Sequence, residues 1–324
     1  MITRDDIAAA RGIVLRTLRP TAALRWPLLV SRLGMEVVVK HENHQPTGAF
    51  KVRGGLTYVD ALLRRAPETK GLVSATRGNH GQSLAFAGAK AGLPVTIVAP
   101  RGNSLEKNAA MRAFAAELIE HGADFEAARE EANRLAAERG LHRVPSYHRD
   151  LVLGVSTWAL ELLDEHPDID VLYVPVGQGS GICASIAARD ALGLKTAIVG
   201  VQSAGAPAYA LSFAAGRAVS TKTADTFADG VATRVPDDEA LAIILKGAER
   251  IVLVSDDEIA AAVRAYWTDT HNLAEGAGAA GLAAAIKERG RLAGKKIGLV
   301  LSGGNIDFDL FQRWVAAPPT AAAA

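Results

Sequence analysis

One lysine stands in a setting that ordinary surface lysines lack. Lys51 lies in Gln45-Pro46-Thr47-Gly48-Ala49-Phe50-Lys51-Val52-Arg53-Gly54-Gly55. Pro46 and Gly48 mark a turn after Val37, Val38 and Val39, while Leu56, Tyr58, Val59, Leu62 and Leu63 recur with the spacing of a helix face. Lys51 therefore falls near a helix start. The positive end of the helix dipole and burial beside Phe50 and Val52 both disfavour an ammonium there. A neutral amine is a nucleophile that can form a Schiff base with a carbonyl compound. The competing reading is a solvated lysine on the first helical turn.

A second stretch, Gly177-Gln178-Gly179-Ser180-Gly181, follows an apolar strand and precedes residues 182–192 of helical composition. Glycines let a ligand approach the backbone, so N–H groups and a helix N-terminus can converge on a phosphate. A dinucleotide fingerprint fits poorly, because Ile182 occupies the third glycine position and the next strand ends at Gln202 rather than an acid. A Walker loop fails too, since no Gly-Lys-Ser/Thr follows. A turn without a ligand is the remaining alternative. Thr76-Arg77-Gly78-Asn79-His80 joins another strand to another helix, a second N-terminus able to receive a carboxylate.

These loops need a framework of alternating strands and helices. Residues 5–18 read as a helix, 35–40 as a strand and Lys51–Arg65 as the helix that carries the lysine. Strands are expected at 71–76 and 94–99, with helices at 79–91 and 104–121, the last bounded by Ser104 and Gly122. Residues 124–139 are mostly helical after a short strand, and a long helix runs from about 154 to 165. Strands at 171–176, 197–201, 250–254 and 297–301 repeat the alternation. Such alternation implies α/β architecture, with two open, mostly parallel sheets covered by helices. Residues 204–230 are the least regular connection, and the alanine- and proline-rich segment 316–324 should fray.

The 324 residues carry 36 basic and 35 acidic side chains, a formal charge of +1. No global field directs the chain to nucleic acid or to an anionic membrane. The apolar strands are far shorter than the roughly 20 residues of a membrane-spanning helix. Cys183 is the only cysteine, and the opening Met-Ile-Thr-Arg-Asp-Asp lacks the plan of a secretory signal. A cytoplasmic protein is expected.

Four segments together, residues 42–54, Arg77-Gly78-Asn79-His80-Gly81-Gln82, 177–181 and Ser302-Gly303-Gly304-Asn305, resemble the pyridoxal-phosphate-dependent threonine/serine dehydratase and serine racemase family, of the tryptophan synthase beta-like fold (fold type II). The resemblance implies pyridoxal 5'-phosphate joined to Lys51, with Phe50, Asn79, Gly177, Gln178, Gly179, Ser180, Gly181 and Ser302 as cofactor contacts. It assigns the α-carboxylate of a small amino-acid substrate to Thr76, Arg77, Gly78 and His80. Asn79 would meet the cofactor's phenolic oxygen, and Ser302 its pyridine nitrogen. The resemblance also implies a large domain of residues 1–68 and 149–324, a smaller closing domain of residues 69–148, and a homodimer. The appended regulatory domain of biosynthetic threonine dehydratases is expected to be absent.

Arg77 departs from the racemases, whose matching serine moves protons on the second face of the substrate. An arginine, with a pKa above roughly 12, cannot. It can instead grip a carboxylate bidentately, as on 3-hydroxyaspartate, or pair with a protein acid. Ser302, facing a pyridine nitrogen, weakens the ring as an electron sink and favours elimination. Glu275 matches a glutamate of the dehydratases, or is a solvated acid at a helix start. Gln202 and Ala208 stand where some relatives carry metal-binding acids, so no divalent metal is expected there. His41 and His44 have zinc-like spacing without further ligands and read as structural. The expected reaction is β-elimination, as by an ammonia-lyase, converting a β-hydroxy amino acid such as threonine, serine or 3-hydroxyaspartate to a 2-oxo acid and ammonia. The rivals are a racemase on the same scaffold, a non-catalytic cofactor-binding protein and a nucleotide-binding regulator.

Overall fold

The computed structural model describes residues 2–316; most of the expected fraying segment, residues 317–324, lies outside them. Among the described residues there are ten strands: β1 (Ala23–Leu24), β2 (Val37–His41), β3 (Leu72–Ala75), β4 (Val95–Ala99), β5 (Glu117–Glu120), β6 (His142–Arg143), β7 (Val171–Pro175), β8 (Ala197–Ser203), β9 (Arg250–Val254) and β10 (Ile297–Leu301). They form a six-stranded sheet in the order β1-β2-β10-β7-β8-β9 and a four-stranded sheet in the order β5-β4-β3-β6. Every pairing is parallel except that of β1 with β2.

Side chains alternate across each sheet and meet apolar residues on both faces. In the larger sheet, Val37, Val39, Val171, Tyr173, Val199 and Val201 pack on one side; Val38, Leu172, Val174 and Ile198 pack on the other. In the smaller, Leu72, Val95 and Ile97 oppose Val73, Ala75 and Val98. The Lys51–Arg65 helix joins the smaller sheet's core through Val52, Leu56, Tyr58, Val59 and Leu62.

Two expected elements differ. The stretch 104–121 is a helix only over Leu105–Ala113; it then turns through Ala115, at φ 66°, and becomes the edge strand β5. A non-glycine residue in that conformation interrupts helical hydrogen bonding, and Leu118 and Ile119 then follow β4. The long helix starts earlier, at Arg149, capped by His148. Gly154 lies inside it because a side chain there would collide with the Arg53 backbone, so this glycine permits close helix packing rather than marking a start. The irregular stretch 204–230 contains the helix Ala208–Ala215 and leads into a 3-10 turn at Asp229–Val231.

Candidate active site

In the larger sheet β2, β10 and β7 are neighbours. Lys51, Ser302 and the 177–181 turn follow the carboxyl ends of these three strands, the edge at which open α/β sheets bind ligands. Residues 76–80 follow β3 of the smaller sheet and reach the same cleft. Backbone bonds tie the loops together: Phe50 N donates to Ser302 O at 3.0 Å, and Gly304 N to Gly48 O at 2.9 Å. Gly48 sits at φ 66°, with the Asn305 side chain where its own would project, so only glycine makes this turn without strain.

Lys51 is the first residue of its helix and is partly buried. Its Nζ donates to Ser180 Oγ at 2.7 Å and lies 5.0 Å from the centre of the Phe50 ring. Burial pushes the amine down to about 8, against a smaller upward pull from Glu275. The turn beneath it is shaped by glycine. Gly179 is at φ 97°, where a Cβ would come within 2.6 Å of Ala240 Cβ, and a side chain at Gly177 would meet the Gly230 carbonyl. Gly181 passes the Phe50 ring at ordinary contact distance. Ser180 begins the helix Ser180–Ala191. The Gln178 carbonyl accepts from Tyr209 Oη at 3.1 Å, and Tyr209 Oη accepts from Asp237 N at 3.0 Å.

Across the cleft, Thr76 Oγ1 accepts from Gly78 N at 3.2 Å, and Gly78 packs on the Lys107 stem. Asn79 Nδ2 donates to Glu275 Oε1 at 2.7 Å, and Asn79 Oδ1 accepts from Asn305 Nδ2 at 2.8 Å. One Asn79 N–H stays available. His80 is buried, its Nε2 has no partner among the described residues, and burial with Lys51 nearby lowers it to about 3, so the ring is neutral. Arg77 is exposed and makes no ion pair among the described residues, which removes the protein-carboxylate alternative within them. Ser302 is buried. The thirteen expected site residues thus lie on loops or helix starts, and contacts link Lys51 to Ser180, Phe50 to Ser302 and Gly181, and Asn79 to Glu275 beside Gly303.

Sequence reasoning left Glu275 open and did not single out Lys107, Asp229 or Tyr209. Glu275 is buried; burial raises its carboxyl to about 7, opposed chiefly by the Lys107 charge. Lys107 is buried too and forms an ion pair with Asp229 on the far side of the cleft. No local pattern marks these residues, because the partners of Glu275, Lys107 and Asp229 lie more than a hundred positions away and those of Tyr209 about thirty. Gln202 is wholly buried: Nε2 donates to the Val176 carbonyl at 3.3 Å and Oε1 accepts from Ala210 N at 3.0 Å. Gln202 thereby braces the residue that leads into the turn. His41 and His44 stack at 5.0 Å, the former accepting from Trp26 Nε1 and the latter bonded to Asn272.

An amine driven towards neutrality beside a glycine turn that opens a helix is the donor set that a phosphorylated aldehyde requires. The unpartnered buried His80 Nε2 and Glu275 Oε2 supply further polar contacts. The residues present fit pyridoxal phosphate. Comparison with known proteins agrees. An L-threonine ammonia-lyase of Thermotoga maritima is 35% identical over 97% of this chain and 78% of its own. An L-threo-3-hydroxyaspartate ammonia-lyase of Saccharomyces cerevisiae is 33% identical over 97% and 96%. Among solved structures, maize serine racemase superposes with a TM-score of 0.90 at 27% identity, covering 96% of each chain. A threonine deaminase from T.th. gives 0.89 at 31%, covering 94% of this chain and 99% of that one. The profile of the family described as "Pyridoxal-phosphate dependent enzyme" matches residues 14–303, and the chain belongs to that family, of fold type II.

Proposed function

We propose that the chain removes water from a β-hydroxy amino acid, releasing ammonia and a 2-oxo acid. The observation that carries this reading is the Lys51 amine, held 2.7 Å from Ser180 on the glycine turn with its charged form disfavoured. The threonine and 3-hydroxyaspartate ammonia-lyases among its relatives support it. Bound in this cleft, pyridoxal phosphate supplies an electron sink that acidifies the α-carbon of an attached amino acid. Backbone amides of residues 177–181 and the Ser180 helix start would hold its phosphate, Ser302 would meet its ring nitrogen and Asn79 its phenolic oxygen. Phe50 would pack beside it. The Lys51 amine would remove the α-proton. Thr76, Gly78 and His80 would bind the α-carboxylate.

Arg77, unpaired among the described residues, points the reading towards a second carboxylate on the substrate, as in 3-hydroxyaspartate. It also disfavours racemisation, since a guanidinium does not exchange protons near neutrality. The division into residues 1–68 with 149–324 and residues 69–148 assigns each sheet to one domain. The smaller domain closes on substrate, with the Lys51 helix bridging the two. Among the described residues no helix is long and apolar enough to cross a membrane; a cytoplasmic location is proposed. Exposed Leu28 and Trp267, on the packed helices Pro27–Leu33 and Asp256–Thr270, suit a homodimer contact.

The test is a panel of threonine, serine, 3-hydroxyaspartate and phenylserine scored for ammonia and for inversion of configuration. Ammonia from at least one of them supports elimination, and inversion without ammonia favours a racemase. The Arg77→Gln variant should raise KM for 3-hydroxyaspartate about tenfold or more and leave threonine nearly unaffected, the loss expected for one charge-assisted contact.

A further inference from the structure

Loss of a β-hydroxyl requires a proton on the leaving oxygen, and the base that takes the α-proton does not itself supply a second acid. We propose that Glu275 is that proton donor, an assignment that rests on the β-elimination reading. Glu275 occupies the N-cap position of the helix Gly276–Lys287, yet its side chain caps nothing. The shorter side chains of Asp, Asn, Ser and Thr accept from a helix's first amides at that position, whereas the longer glutamate reaches past them. It turns into the cleft, where Oε1 accepts from Asn79 Nδ2 at 2.7 Å. Oε1 also lies where a side chain at Gly303 would project, 2.6 Å from such a Cβ. Gly303 therefore leaves room for the carboxyl beside Ser302. Oε2 is buried and has no hydrogen-bond partner among the described residues. A buried carboxyl oxygen without a partner is costly as an anion and far less so as an acid.

The charges around it point the same way. Lys51 from its own helix and Lys107 from the Leu105–Ala113 helix favour the anion, Asp229 from its 3-10 turn opposes it, and burial outweighs each of them. Lys107 is already engaged by Asp229. His80 in the Asn79–Ala91 helix is neutral. The carboxyl is raised to about 7 while the Lys51 amine is lowered to about 8, so near neutrality a proton passes between them at little cost. Raising a carboxyl and lowering an amine towards the working pH fits both groups to proton transfer.

The proton balance closes. Lys51, as the free amine, takes the α-proton and becomes an ammonium. The Cβ–O bond breaks with its electron pair on oxygen, Glu275 gives its proton, and water leaves. The Glu275 carboxylate then takes a proton back from the Lys51 ammonium, so both groups return to their starting forms. A chloride leaving group needs no proton, which separates this role from a structural one.

The experiment compares serine with β-chloroalanine, two substrates of similar size, in holoenzyme carrying Glu275→Gln. Glutamine keeps an acceptor for Asn79 but has no acidic proton. The serine rate should fall about a hundredfold, within the range of general acid catalysis, and by at least ten times more than the β-chloroalanine rate. Equal losses on both substrates overturn the assignment. In wild-type holoenzyme the serine profile should decline on its alkaline side while the β-chloroalanine profile does not; matching profiles overturn it without any variant. In the apoprotein, losing the Glu275 charge should move Lys51 reaction with an amine-directed reagent to lower pH, and an unmoved profile overturns the coupling. A wild type that releases ammonia from β-chloroalanine and from none of threonine, serine, 3-hydroxyaspartate and phenylserine, or from none of the five, refutes the elimination of water itself, which is a distinct result.

Discussion

Lys51 and Arg53 are two residues apart on one helix, and the protein treats their charges in opposite ways. Arg53 is wholly buried, and all three guanidinium nitrogens are engaged. Nε and Nη2 donate to Glu42 at 2.8 and 2.9 Å, while Nη1 and Nη2 reach Glu161 at 2.8 and 2.9 Å. Nη1 also reaches Thr157 at 2.9 Å. Lys40 adds a second cation on Glu161 at 2.7 Å, so two cations face two anions. The Arg53 guanidinium is held charged despite its burial, chiefly by Glu42 and then by Glu161. Lys51 has a single hydroxyl partner, and its nearest acid is itself pushed towards neutrality. Satisfaction makes the first cluster inert and fixes the helix. Under-satisfaction leaves the second able to react. A buried polar group short of partners is costly for stability, and such sites persist where chemistry uses them.

The largest effect on either side comes from removing the cation. Lys51→Ala should abolish ammonia release, by at least about a thousandfold in kcat, because the nucleophile and base are lost together. Its circular dichroism spectrum should match wild type; substantial residual turnover would erase the distinction between the two clusters. Arg53→Met strands Glu42 without a counter-charge and leaves Glu161 to Lys40 alone, and should cost about 3–5 kcal/mol of stability in urea unfolding, the typical penalty for breaking a buried ion pair. A small cost there would show that the network is not what anchors the Lys51 helix.

Much of this contrast was legible in the sequence, for physical reasons that can be named. The Lys51–Arg65 helix and the Asn79–Ala91 helix were readable to the residue, since each follows glycine-rich turn chemistry and carries a periodic apolar face. The glycine turn at 177–181 was readable because steric freedom is a local property. Glu275 stayed ambiguous: an acid at a helix start is as readily a solvated carboxylate, and only its burial and its contact with Asn79, 196 positions away, set it apart. Arg53 gave no signal at all, its partners being supplied by Glu42 and by Glu161 from a distant helix. β5 was hidden inside a helical pattern because the break at Ala115 depends on backbone conformation rather than on glycine or proline.

The pH dependence of stability in the apoprotein sharpens the comparison at intermediate size. The Lys51 pKa is lowered from 10.5 to about 8, so between those values the unfolded chain binds more protons than the folded one and stability rises with pH. The Glu275 pKa is raised from 4.5 to about 7, so across that window the folded chain binds more protons and stability falls as pH rises. Lys51→Ala should remove the alkaline rise and Glu275→Gln the acidic fall, each measured by urea unfolding at a series of pH values. Unchanged slopes in both variants would mean that burial does not govern these two groups.

The smallest expected effects are the most discriminating, because each removes one hydroxyl that accepts from a cation. Thr157 Oγ1 accepts from Arg53 and donates to Gly154 O at 2.6 Å within the saturated network. Thr157→Val should cost about 1–2 kcal/mol in urea unfolding, for a hydrogen bond lost to a charged group, with kcat nearly unchanged. Ser180 Oγ is the sole hydrogen-bond partner of the Lys51 amine among the described residues. In Ser180→Ala the amine loses no bond that matters to the fold, so stability should move by less than about 1 kcal/mol. Cofactor retention after dialysis and kcat should both fall, since the same hydroxyl stands at the start of the helix that faces the phosphate. The two substitutions therefore predict opposite patterns across the two assays. If both lower stability and neither touches turnover, Lys51 belongs with Arg53 in the structural cluster, and the chemistry assigned to it lies elsewhere in the cleft.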